Sequence, residues 1–251
     1  MAPASVHRLD HRGEHFAVAG PLNVTPSPQG RPVVVQAGSS DTGRALAAAT
    51  ADVVFTAQPT LASAQAFYRD MQERRAREGR GPLRILPGIY AVVGESASHA
   101  QEKYRQLQDL IEPKAGLALL GRMIGNFDLS GYPLDGPLPE LPLTQDGQRS
   151  RQQLLTALAE GENLSIRQLY ERIAGGRGHL SVIGTGEQVA DTIQEWFEAG
   201  ACDGFNLMAP LLPGGLDDFA RQVVPVLQRR GLFRTAYAGT TLRSHLGLPA
   251  D

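Results

Sequence analysis

The sequence predicts a parallel α/β fold, and three observations predict it. Short β-branched runs without polar alternation, such as Pro32-Val33-Val34-Val35-Gln36 and Asp52-Val53-Val54-Phe55-Thr56, read as buried parallel strands. A turn and then a helical pattern follow each run. Strong strands of this kind recur near residues 33, 53, 86 and 205. About 250 residues is the usual size of a complete (β/α)8 barrel. Four strong strands are half the number such a barrel needs, so the pattern fits half a barrel with insertions, or a small open sheet.

The elements follow in order. Pro26 and Pro28 exclude a helix from the lead-in, which has room for one short hairpin around Phe16 and Val18. After the first strand, Ala37 to Gly43 is a small-residue turn, and Arg44 to Thr50 is an Ala/Leu-rich helix. After the second strand, Thr60 opens an amphipathic helix to about Glu78, with Leu61, Phe67, Tyr68 and Met71 inward. Leu83 to Ile89 is a third strand that can run on toward Val93. Ser96 caps the next helix, which runs to Ile111.

Residues 113–178 interrupt the rhythm and read as an insertion within one domain spanning 1–251. Helices are expected near 114–124, 150–160 and 165–174, around a Pro/Gly-rich excursion at 131–139. Long insertions often cover a site, and the segment Phe127 to Gln148 reads equally as a substrate-side lid or as a plain surface loop. His179 to Thr185 leads into a helix from Gly186 to Ala199, whose expected inner stripe is Val189, Ile193, Trp196 and Phe197. Asp203 to Met208 is the last strand. Leu216 to Arg230 is the last helix, with a kink expected at Pro225, and a tail from Phe233 follows.

Composition narrows the function. The chain carries 24 basic and 26 acidic residues, a net charge of −2, which argues against a dedicated nucleic-acid binder. No apolar run approaches the roughly 18 residues that span a membrane. The N-terminal stretch lacks the apolar core of a secretory signal. The single cysteine, Cys202, fits a reducing compartment and reads as a small core residue. A cytoplasmic protein is expected.

The turn Gly38-Ser39-Ser40 lies between a strand and a helix start, where amides and the helix dipole face an anion. Gly38 permits close backbone approach, and two serine hydroxyls can donate. An ordinary serine N-cap explains the same residues. His11 and His15 lie four apart without helical periodicity or a third ligand, so no metal site is expected. Gly184-Thr185-Gly186 reads as a helix start. Asp217 and Asp218 read as first-turn acids on a helix dipole.

The run Gly30-Arg31-Pro32-Val33-Val34-Val35-Gln36-Ala37-Gly38-Ser39-Ser40 resembles the bacterial-luciferase-like flavin monooxygenases. The similar branch contains nitrilotriacetate monooxygenase component A and dibenzothiophene-sulfone monooxygenase. Supporting pieces are His11-Arg12-Gly13, Gly20-Pro21-Leu22, Leu86-Pro87-Gly88, Gly184-Thr185-Gly186-Glu187-Gln188, Asp203-Gly204-Phe205-Asn206 and Arg229-Arg230-Gly231-Leu232-Phe233. The resemblance implies a (β/α)8 barrel and FMN reduced by a separate flavin reductase. It implies oxidation of a small organic substrate with O2. It places the flavin phosphate on Ser40, with Ser39 and the Gly38 backbone beside it. It further implies that the chain is the C-terminal half of that barrel, because the first four βα units and their ring-binding residues have no counterpart here. No catalytic residue can be assigned. Three readings follow: an incomplete monooxygenase, a half barrel that merely binds FMN phosphate, and an inactive fragment. A half barrel with bared strands is expected to form homo-oligomers.

Overall fold

The computed structural model describes residues 6–142 and 149–249. The chain divides into two compact units, Met1–Val33 with Tyr237–Asp251, and Val34–Ala236. In the first unit the expected hairpin is present. Strands β1 (His11–Arg12) and β2 (Ala17–Val18) pair antiparallel, with His11 opposite Val18. The turn closes where the Gly13 amide donates to the Phe16 carbonyl at 2.8 Å.

The second unit is the α/β unit, with parallel pairing throughout its sheet. Its order is β3 (Val35–Gln36), α1 (Asp41–Thr50), β4 (Val53–Thr56), α2 (Leu61–Arg77), β5 (Arg84–Gly94) and α3 (Ala97–Asp109). The insertion contributes α4 (Pro113–Met123), α5 (Arg149–Gly161) and α6 (Ile166–Gly176). Then come β6 (Leu180–Thr185), α7 (Gly186–Glu198), β7 (Asn206–Met208), α8 (Gly214–Gln222) and α9 (Val224–Arg229). The short α10 (Leu242–His245), which sequence patterning does not foresee, closes the first unit. There the Arg243 amide donates to Gln29 at 3.2 Å.

Strand β5 is the hub. Its first residues pair with β4 from Arg84 to Pro87. Ile89 and Tyr90 pair with both β6 and β7, which therefore flank β5 on opposite edges there. Alternation sends Val54 and Ile85 toward the helices, into a core with Ala47, Ala48, Phe67 and Met71. Farther along, Ile89, Ala91 and Val93 pack with Val189, Trp196, Val226 and Leu227 from α7 and α9. The insertion builds its own core, with Leu120, Ile124, Leu155, Leu169, Tyr170 and Ile173 buried together.

Four strands were expected, but Leu180–Thr185 is a fifth strand. Its pairing with Ile89–Gly94 depends on a partner 91 residues away, beyond the reach of local pattern. The first strand is parallel but not buried. Val35 is 55% exposed, on an edge strand hydrogen-bonded only to β4 among the described residues. Phe197 is 49% exposed, so the inner stripe of α7 ends at Trp196. The expected single last helix is two, broken at Val223, because Pro225 falls in the first turn of α9 and cannot continue a hydrogen-bonded ladder from α8. Asp217 lies in the first turn of α8, as expected, whereas Asp218 makes a 2.6 Å ion pair with Lys103. Burial raises the Asp218 carboxyl, but Lys103 and Arg221 outweigh it and hold the group below its ordinary value.

Candidate functional site

Parallel strands bring their C-terminal ends to one rim, and that rim carries the predicted turn. Gly38, Ser39 and Ser40 connect β3 to α1. Ser40 is the N-cap, and its Oγ accepts from the Gly43 amide at 3.2 Å. The capping role is thus real. It engages the oxygen as acceptor and leaves the hydroxyl proton to donate outward. The amides of Asp41 and Thr42 have no intrahelical carbonyl to bind, because they lie in the first turn. A Cβ on Gly38 would sit 2.9 Å from the Gly43 Cα, so only glycine lets the turn fold this tightly on the helix.

Charge around the turn is arranged in a chain. The Arg44 Nε donates to the Ser39 carbonyl at 2.9 Å, and its guanidinium pairs with Asp70 at 2.9 Å. Arg74 pairs with Asp70 at 2.9 Å and reaches Asp41 at 2.6 Å. Burial pushes the Asp70 carboxyl up, but Arg74 and Arg44 prevail and hold it below its ordinary value. Asp41 alone would repel an anion at the turn, and Arg74 offsets that repulsion. The positive helix end therefore keeps its attraction for an anion such as a phosphate.

Residues that the sequence did not single out join the same rim. Gln58 is buried and donates to the Thr56 hydroxyl at 3.0 Å, just past β4. Phe55 faces away from the helices and stacks on the His179 ring, with centroids 5.0 Å apart and planes 15° apart. The His179 ring occupies the space a Cβ on Gly88 would need, with Nδ1 only 2.4 Å from that position. Burial holds the His179 pKa below its ordinary value, so the ring is neutral at pH 7. At the opposite, N-terminal end of the sheet, the motif residue Asp203 ties the last strand to the hub: its carboxylate accepts from the Ile85 amide at 2.8 Å, and Arg84 lies at 3.4 Å.

Cys202 is buried, as expected, and burial pushes its thiol up to about 12. That keeps it protonated and inert as a nucleophile. His11 lies in the β1–β2 hairpin and His15 in its turn, away from helical structure. Thr185 caps α7 with a reciprocal Gln188 contact, so the Gly184-Thr185-Gly186 pattern is a helix start. The described part of the Phe127–Gln148 segment is anchored. Leu129 is buried, Leu134 and Leu138 pack on the insertion core, and Asp135 pairs with Arg167 at 2.7 Å. Residues 143–148 of that segment lie outside the described residues. Among the described residues, no helix is long and apolar enough to cross a membrane.

In parallel α/β folds ligand sites form at the C-terminal ends of the strands, where this chain carries its serine-capped turn. The chain belongs to the luciferase-like monooxygenase family, whose profile matches residues 4–203. It is 53% identical over 246 residues to N-acetyl-S-(2-succino)cysteine monooxygenase of Bacillus subtilis, covering 97% of this chain and 56% of that protein. It is 51% identical over 245 residues to nitrilotriacetate monooxygenase component A of Aminobacter aminovorans, covering 97% and 54%. Among solved structures, EDTA monooxygenase from Chelativorans sp. BNC1 matches with a TM-score of 0.79 at 32% identity, covering 97% of this chain and 55% of that one. The chain spans about half the length of the curated relatives it matches.

Proposed function

We propose that this sheet is half of a (β/α)8 barrel that holds reduced FMN and oxidises a small organic substrate with O2. A separate flavin reductase supplies the reduced cofactor. The observation that carries this reading is the Gly38-Ser39-Ser40 turn. Open first-turn amides, a serine hydroxyl and a neutralised Asp41 make a cradle that fits a phosphate. Bound reduced flavin would supply the oxygen activation. The protein's part is placement: Ser40 and the α1 amides fix the phosphate end. Phe55 and the neutral His179 give the same rim an apolar wall that excludes water.

A second reading is a half barrel that binds flavin phosphate without turnover. It is favoured by the edges of the sheet, since β3 and β7 each have one strand partner among the described residues. Substrate oxidation coupled to a flavin reductase separates the two.

The phosphate role is tested by two substitutions at one position. Ser40→Ala removes both the cap and the donor. It is expected to lower stability by about 1 kcal/mol and to weaken FMN binding about tenfold. Ser40→Asp keeps a capping oxygen but sets a negative charge against the phosphate. It is expected to hold the melting temperature and lose FMN binding, read by quenching of flavin fluorescence. Unchanged FMN affinity in Ser40→Asp would remove the turn from the site.

A further inference from the structure

A cavity of about 340 Å³ opens on the same rim, between the start of α2 and the helices of the insertion. Its wall is apolar: Leu155 and Leu158 come from α5 and Ile173 from α6, with the His179 ring at the β6 end. Two of its hydroxyls are already engaged, and the His179 Nδ1 is buried without a hydrogen-bond partner among the described residues. The Thr60 and Ser63 hydroxyls serve the first turn of α2. Arg172 faces Glu162 at 3.7 Å, so the cation at the mouth is matched by an anion. The lining thus carries no net charge.

We propose that this cavity is the substrate pocket and that it takes an uncharged apolar body, a ring or short alkyl chain, rather than a polycarboxylate. The proposal rests on the flavin reading and names its substrate class. Desolvating several carboxylates here would cost several kcal/mol each, with no free cation in the lining to repay it. An apolar body gains from every methylene buried against Leu155, Leu158 and Ile173. The location fits as well, because the cavity and the Ser40 turn follow adjacent parallel strands, β4 and β3.

The test is calorimetric titration of the chain with indole and, separately, with nitrilotriacetate. Indole is expected to bind and nitrilotriacetate not to. Leu158→Trp fills the cavity and is expected to weaken indole binding at least tenfold. Glu162→Gln uncovers the Arg172 charge without touching the apolar wall. It is expected to leave indole binding intact and to bring in measurable nitrilotriacetate binding. No indole binding, equal binding of both probes by the native chain, or full indole affinity in a folded Leu158→Trp variant would each overturn the proposal. FMN titration of the same samples keeps the two readings apart. Failure of the pocket alone leaves flavin quenching intact, whereas failure of the flavin reading abolishes it in the native chain.

Discussion

His179 shows how a residue without a local signature acquires a role. Its partners, Phe55 and Gly88, lie more than 90 positions away in sequence, so no motif marks it. The Gly38-Ser39-Ser40 turn was legible for the opposite reason: capping and close approach are settled within six residues. The buried ring has a consequence for pH. Its folded pKa lies below the ordinary 6.5, because burial penalises the charged form. Between those two values the unfolded chain binds the proton and the folded chain does not. Stability from this group is therefore present above pH 6.5 and lost as pH falls toward the lower folded value. One proton limits the slope to about 1.4 kcal/mol per pH unit. Urea midpoints measured from pH 7.5 to pH 5 are expected to fall in the native chain and to stay flatter in His179→Gln. The lowered carboxylates, such as Asp70, act only below the ordinary carboxylate range and do not share this window. Equal slopes in the two proteins would mean the ring is not neutral in the fold.

At the level of elements, type was easier to read than neighbourhood. The helix after Ser96 and the one after Thr60 begin where their capping residues say, since caps are local. Strand β6 was missed because its evidence is its pairing with Ile89–Gly94, and the two runs are separated by the whole insertion. Phe197 was placed inward by spacing alone, yet the groove beside α7 is filled by Val226 and Leu227 against Trp196. That packing makes Gly186 a sensitive position. In an open helix, Gly→Ala would stabilise by up to about 1 kcal/mol. Here the new Cβ would lie 2.3 Å from the Gln222 carbonyl oxygen, a backbone atom that cannot swing away. The clash outweighs the propensity gain, so Gly186→Ala is expected to destabilise by about 1–3 kcal/mol. Chemical denaturation with an unchanged m-value would measure it. A more stable variant would show that α8 and α7 separate freely.

For the whole molecule, the decisive feature is the edge strand β3, which pairs only with β4 among the described residues. The fold class and the rim that carries the candidate site were legible, because strand–turn–helix alternation is written locally. The pairing at the edges was not, because a strand's partner is not written in its own residues. β3 hydrogen-bonds to β4 on one side, and its Val35 side chain is 55% exposed. In the barrel reading, these edges and the face bearing Val35 are where further βα units close the structure. Unpaired edges and exposed apolar faces are templates for association. The 251-residue chain is therefore expected to self-associate, with β3 as the contact. Light scattering at micromolar concentration should give at least a dimer mass. Val35→Lys sets a charge on the exposed face of that edge and is expected to return the chain to a monomer, because a lysine cannot be buried there without a partner. Its fold should survive, since Val35 contributes little buried area. A native chain that is monomeric at that concentration would place the closing partner of the sheet elsewhere than in a second copy.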